Sequence, residues 1–593
     1  MSIIPTRLLG QKINDGSKSN MQNIMLNNDP NKQSSNEIRV SKSAYNESDI
    51  QSAINPLDSN NIILLPLQHR WDNVKDYYAI PPYYSKDFGE TWSRANFELL
   101  PTDEYKIITK GSNPQIIFDK KGRAYLAWIT NYLTGNPSQG GGEIENDSLF
   151  SSVVWAYSDN GGEDWTVPDD NVIIIKKNRN DKNILIEEIR NLQLISNPFS
   201  DKNAVEIYAL VELHNNLNNK NTFQLYSYDS NTLKYLIRNK NIRHTSDSIY
   251  IDYPQMDVRL NGDLGLVYYS FDTTESELKY YIKFRNSSNG GINFDEPSIV
   301  NELFFKGSID ISSPFDIIPG TSYVESFNPN IELKIDKSKK MYWDYFYCQW
   351  VGAGLDSQEL DLNIYMSRST DYGKTWRKPK MVNTNKSGEQ FLSDLSINKN
   401  GVIVSKWYDT QNFENRESAD IYMTYSFDAG YSYEESMKVT SWSSSLTLIP
   451  KQNRFYGLGK KMSLMTTNDY ALPVWADARD NDGRTDVFIG FYPIQEQANK
   501  FFELTDSLIF INDVTPNPTV DFFNLSFELK ERRHLNLSLY DYRGKLVINF
   551  YNQILKAGEY NNKVDIGLFA NGIYFLIFKS DIYSTTKKIV IQK

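Results

Sequence analysis

Two runs in this chain end alike. Trp407-Tyr-Asp409-Thr and Trp475-Ala-Asp477-Ala-Arg479 each close an apolar stretch with an aromatic, a spacer and an acid, then enter a polar loop. The chain resumes at Asp420-Ile-Tyr and Asp486-Val-Phe. Trp128, Trp350 and the segment His69-Arg70-Trp71-Asp72 occupy equivalent places. Acids and arginines beside aromatic platforms suit a sugar or an acidic sugar: a guanidinium pairs bidentately with a carboxylate, and an indole stacks on a ring face. On this reading Asp409 and Asp477 are the candidates for catalysis, and Arg70, Asp72, Arg416, Arg479 and Arg484 are the candidates for holding substrate. The same spacing also serves structure alone, with Asp409 and Asp477 capping their own loops and pairing with arginine.

The elements that must position these residues are announced by a repeated phrase. Ser85-Lys-Asp87-Phe-Gly89-Glu-Thr91-Trp92 reads S-x-D-x-G-x-T-W, and Ser369-Thr-Asp371-Tyr-Gly373-Lys-Thr375-Trp376 repeats it in full. Weaker copies run from Ser158 through Asn160, Gly162 and Trp165, from Ser426 through Asp428 and Gly430, and from Ser287 through Asn289 and Gly291; a decayed sixth sits at Ser227-Tyr-Asp229. Each follows a strand-like alternation and precedes another, so the phrase is a hairpin turn. Its acid accepts hydrogen bonds from turn amides, its Gly supplies a positive φ, and its aromatic packs back on the sheet. One supersecondary unit is therefore stacked many times.

These turns resemble the Asp-box (BNR-repeat) β-propellers, the group that includes sialidases. The resemblance covers about residues 36 to 498 and implies an all-β propeller of four-stranded blades. Seven units can be counted, and six is the alternative because sialidase propellers have six. The last unit, Lys461 to Ile494, is one strand short, and Asn36-Glu-Ile-Arg-Val-Ser41 is expected to complete it. The resemblance further implies that ligands bind the face opposite the boxes, among the residues named above and the long loop from Thr134 to Ser148. It implies for a sialidase a Tyr nucleophile, an acid/base Asp and three arginines, the first in an Arg-Ile-Pro or Arg-Leu-Pro segment. This chain has neither segment. Its inner strands begin around Gln51, Gln115, Gln255, Asn330 and Asp394 instead, so the sialidase residues do not carry over.

The last 80 residues change character. Pro516-Asn517-Pro518, Leu539-Tyr-Asp541-x-x-Gly544, Asn571-Gly572-Ile-Tyr574 and a terminal Lys587-Lys588-Ile-Val fall in order. Together they resemble the type A sorting domain of the type IX secretion system of Bacteroidota, a small Ig-like β-sandwich. That implies the type IX machinery as a partner and a secreted or surface location, although the opening residues carry no signal-peptide pattern. The expected domains are a disordered segment 1–35, a propeller 36–500, a linker 501–512 and a sorting domain 513–593.

Composition narrows the rest. The 593 residues carry 63 basic and 74 acidic side chains, a net charge of −11 with no basic cluster, which argues against nucleic acid as partner. No apolar run spans a bilayer. One cysteine, Cys348, and four scattered histidines, His69, His214, His244 and His534, give no metal-ligand spacing, so no metal or cofactor is expected. A closed propeller leaves no sheet edge to satisfy, so a monomer is expected. Three readings of function remain: a secreted glycan-active enzyme with a diverged site, a non-catalytic surface protein that binds or adheres to glycans or glycoproteins, and a polysaccharide lyase with a Tyr or His base, His69 being the well-placed histidine.

Overall fold

The computed structural model describes residues 36–71, 76–97, 106–134, 148–177, 186–198, 205–229, 234–243, 250–272, 279–303, 330–338, 342–352, 361–447, 449, 451–452, 455–456, 458–459, 461–480, 482–494, 509–530, 532–580 and 584–593. The expected disordered segment and most of the expected linker lie outside them.

Seven sheets of a β-propeller account for residues 37–493. Six have a path of four antiparallel strands in chain order, and two of these carry one more short strand off that path. Their inner strands are Asn46–Asn55, Lys106–Phe118, Glu187–Ser196, Tyr250–Val258, Ile331–Ile335 and Gln390–Ile397. The seventh runs Ser463–Thr466, Tyr470–Asp477 and Asp486–Gly490, and its outer strand is Glu37–Arg39 from the start of the chain. Each inner strand packs against the next, and the seventh meets the first, so the ring is closed. The sequence reading of seven blades, with residues 36–41 completing the last, matches this topology.

The closure is held by paired backbone and by charge. Glu37, Ile38 and Arg39 lie opposite Gly490, Ile489 and Phe488. Glu37 accepts a bond from Arg479 at 2.7 Å, and Arg39 pairs with Asp486 and, at 2.7 Å, with Asp480. Behind the strand, Glu47 is fully buried and accepts from Ser41, from Tyr83 at 2.8 Å and from Gln68 at 2.9 Å. Burial pushes its carboxyl up to about 7.

The cores between blades are apolar and aromatic. Trp128, Trp155, Trp350, Trp407 and Trp475 are fully buried. The recurring turns sit at the far end of the third strand of their blades and share one hydrogen-bond pattern. In the first, the Ser85 hydroxyl donates to Asp87 at 2.7 Å and accepts from Gly89 N at 2.8 Å, and Thr91 N donates to Asp87 at 2.9 Å. The copies built on Ser158, Ser287, Ser369 and Ser426 repeat the Ser-to-Gly link at 2.8–2.9 Å. Gly373 has a φ of 80°, and a Cβ there would fall 1.9 Å from Phe284 of the preceding blade, so only Gly lets this turn dock. Of the sixth copy, residues 230–233 lie outside the described ones.

The inner strands carry a second repeat, made of polar residues. Gln115 accepts from Leu194 N at 3.3 Å, Gln193 accepts from Met256 N at 2.8 Å, and Asp394 accepts from Leu464 N. Each bond joins one blade to the next. Just before this position the strand bulges, with positive φ at Asp49, Asn113, Tyr253 and Leu392. Asn113, in one of these bulges, and Asn330, just before the inner strand of the fifth blade, donate to Arg190 O and Ser393 O of the following blade. The amide and acid side chains that open the inner strands are thus staples of the ring.

Residues 509–591 form a separate pair of sheets. One holds Ile509–Ile511, Phe522–Leu529 and Gly558–Asp565; the other holds Leu546–Leu555, Arg533–Asp541, Gly572–Ser580 and Ser584–Ile591. Phe523, Leu525, Phe527, Leu535, Leu537, Leu539, Leu576 and Phe578 are buried between them. Asn517 of Pro-Asn-Pro donates to Lys588 O at 2.7 Å and accepts from Val590 N at 2.8 Å. Two of the motifs separated by 70 residues are one clasp.

Candidate functional site

The second strand of a blade ends, and its inner strand begins, at the end of the ring opposite the recurring turns. Asp409 and Asp477 both stand there. Asp409 accepts from the Trp407 indole at 2.9 Å, Gln411 N at 2.8 Å and Gln390 at 3.1 Å. Asp477 accepts from the Trp475 indole at 2.7 Å, Arg479 N at 2.8 Å and the Arg479 guanidinium at 2.7 Å. Both are buried, and burial pushes Asp409 up to about 6. In each case the acid two residues after the Trp caps its own loop and satisfies the indole N–H.

The arginines are likewise engaged. Arg416, at φ 56°, pairs with Asp361 at 2.9 Å and with Glu389 at 2.5 Å, tying its loop to the preceding blade. Arg479 bridges Asp477 and Glu37 and lies 4.0 Å over the Phe488 ring. Arg70 donates to Gln68 at 2.6 Å and lies over Tyr45, whereas Arg484 is exposed and meets Asp482. Asp72 and residues 135–147 of the long loop lie outside the described residues. The described candidates stand on the first, sixth and seventh blades, and their contacts given above run within loops or to adjoining blades.

A different group on this face has the marks of chemistry. Glu212, on the second strand of the third blade, is 1% exposed and in hydrogen-bonding contact with the half-buried carboxyl of Asp252, on the inner strand of the fourth. Tyr253 N donates to Glu212, and Asn221 donates to it at 2.8 Å. Asn221 also meets His214 Nδ1 at 2.6 Å. The charge of Arg190, half-buried in the inner-strand irregularity of the third blade, acts on both Glu212 and His214. Burial and the neighbouring Asp252 hold Glu212 well above the usual carboxyl range, and burial pushes the His214 imidazole down. Glu212, with burial and the Asp252 carboxyl both acting against its ionised form, therefore holds its proton to higher pH than an ordinary carboxyl. It can give or take that proton beside a fixed cation.

This cluster was missed in the sequence because the third blade has the most decayed turn and His214 stands alone in the chain. The signal was positional. Gln193 pairs with Leu210 as Gln255 pairs with Val267 and Asp394 with Lys406, so Glu212 occupies the register of Tyr269 and Tyr408. Tyr408 points to the next blade, donating to Ala476 O at 2.5 Å. An acid in that register must point to the next blade too.

A second ionisable cluster, Glu332, Lys334, Asp394, Lys406 and Lys461, lies along the fifth to seventh blades. Burial pushes Glu332 up to about 7 and Lys406 down to about 7, and Lys406 donates to Val474 O of the adjoining blade. Its acids and cations offset one another and link blades. Among the described residues no group of three or more His, Cys, Asp or Glu is arranged to hold a metal, and no helix is long and apolar enough to cross a membrane.

Comparison with known proteins adds the following. Residues 513–592 match the family model of the secretion system C-terminal sorting domain. No curated protein matches the chain. Among solved structures, a protein of unknown function from Dyadobacter fermentans DSM 18053 aligns at 10% identity over 77% of this chain and 97% of its own, with a TM-score of 0.38. An α-L-arabinanase from Penicillium chrysogenum, solved with arabinobiose, aligns at 12% identity over 66% of this chain and 97% of its own, with a TM-score of 0.36. PorZ, a surface component of the type IX secretion system of Porphyromonas gingivalis, aligns at 11% identity over 93% of this chain and 61% of its own, with a TM-score of 0.32. Such distant likenesses carry no conclusion about activity. The sorting-domain match does carry one about destination: the chain is exported by the type IX secretion system to the cell surface or the extracellular space.

Proposed function

We propose that the exported chain acts on glycans at the loop end of its third and fourth blades, with Asp252 and Glu212 as a proton-sharing acid pair. The observation that supports this is the contact between one buried and one half-exposed carboxyl, beside Arg190, on the face away from the recurring turns. Asp252 meets the substrate, Glu212 holds the shared proton in place, and Arg190 contacts an oxygen-rich or anionic sugar group. We read the recurring turns as Asp-boxes, which relates the ring to the sialidase-like propellers by architecture and not by catalytic residues.

The test is a product assay on the full chain with sialylated, uronic-acid-containing and neutral glycans, read by mass spectrometry. A released sugar is expected, its mass separating hydrolysis from elimination by the presence or loss of water. Asp252→Asn is expected to lower turnover by about a hundredfold or more, the usual worth of a positioned acid or base. An Asp252→Asn protein as active as the parent removes the proposed pair. The 1% exposure of Glu212 favours a second reading, in which the pair is a fixed part of a surface that binds glycans without turnover. Binding without product from the folded protein would select it.

A further inference from the structure

Among the described residues, the sixth and seventh blades present one large aromatic side chain to solvent on the ligand end of the ring. Trp442 is 69% exposed, whereas the five indoles of the second and third strands are fully buried. Its loop, Ser441–Ser445, is anchored at nearly every residue around it. Ser441 N donates to Glu37 of the closing strand. Asp420 accepts from Thr440 at 3.1 Å and from Ser443 at 2.7 Å. The Ser444 hydroxyl donates to Asp477 at 3.3 Å and accepts from Ala478 N at 3.0 Å. Ser444 and Ser445 pair as a short strand with Ala419 and Ser418. Three parts of the ring thus fix the backbone on both sides of an indole that has no core to enter.

We infer that Trp442 is a stacking platform for one ring of a neutral oligosaccharide. This rests on the glycan reading above and extends it to a second subsite. An indole offers a flat apolar surface to the C–H face of a sugar, and a backbone already fixed loses little entropy on binding. The ligand is neutral because the cations that touch the anchoring acids are already paired: Lys438 with Asp420 at 2.9 Å, and Arg479 with Asp477 and Glu37, each at 2.7 Å. A uronate there would sit in the field of the buried Asp420, Asp477 and Glu37 side chains, three acids set against the two cations Lys438 and Arg479. The subsite also gives Asp477, one of the acids that the sequence singled out, a part beside Asp420 in setting the position of the platform. In a ring of seven it lies three blade junctions from Asp252 and Glu212, so it serves long chains and leaves short substrates indifferent to it.

The experiment is calorimetric binding of neutral hexasaccharides (cellohexaose, xylohexaose, mannohexaose and arabinohexaose) and of sialyllactose to the full chain, its Trp442→Ala variant and its Trp442→Phe variant. Trp442→Ala is expected to weaken the neutral hexasaccharide that binds the parent by about tenfold, and Trp442→Phe by less than about threefold, because a smaller ring still stacks. Sialyllactose affinity is expected to stay unchanged. Equal hexasaccharide affinity for the parent and Trp442→Ala overturns the platform while leaving the glycan reading in place. A parent that binds none of the five overturns both.

Discussion

Glu47 shows how a single buried acid couples the closure of the ring to pH. Burial raises its folded value to about 7 from an ordinary 4.5. The folded state therefore holds the proton more tightly, and this contribution is complete below pH 4.5 and lost as pH rises through about 7. A shift of that size is worth on the order of 3 kcal/mol. Glu47→Gln keeps the shape and removes the ionisation, so the variant should match the parent near pH 4.5 and exceed its stability at pH 8. Denaturant unfolding at the two pH values checks this; an equal difference at both would show that Glu47 does not titrate with folding. Asp409 and Asp477 teach the related lesson about reading single residues. An acid two residues from a Trp looks the same in sequence whether it faces a ligand or its own loop. The bonds from Trp407, Gln411 and Gln390 show that Asp409 caps its loop, and those come from the fold.

At the scale of the element, the inner strand explains why the chain carries Gln, Asn and Asp where an apolar residue would be expected. Gln193 accepts Met256 N at 2.8 Å, and its loss to an isosteric apolar side chain strands a backbone donor at the blade junction. Gln193→Leu should cost about 1–3 kcal/mol without a change of fold, read from the denaturation midpoint. No measurable loss would mean that the staple carries no net stability. The recurring turn was legible in sequence because every contact that defines it falls within a few residues, Ser85 to Thr91. The staples were not, because each joins residues of successive blades, 63 apart for Gln193 and Met256 and 79 apart for Gln115 and Leu194. The acid pair was hidden for the same reason. Glu212 and Asp252 belong to different blades, and only strand register brings them together.

For the whole molecule, seven blades and the closing strand were readable because the count of units came out one strand short at the C-terminal end and one long at the start. The structure spends that strand on Glu37–Arg39, opposite Phe488–Gly490. A chain beginning at Asn46 would leave Asp486–Gly490 as an open edge over the buried Val487 and Ile489. It should unfold at markedly lower denaturant than the full chain and associate through that edge, as light scattering would report; unchanged stability would mean that the strand is dispensable.

The same seam sets an order of assembly. The first described strand to leave the ribosome has no partner until residue 490 has followed it, more than four hundred positions later. Residues 37–39 must therefore stay unclaimed and unaggregated while six blades form around an open gap. The seam that completes the ring is thus a meeting of its oldest and newest segments.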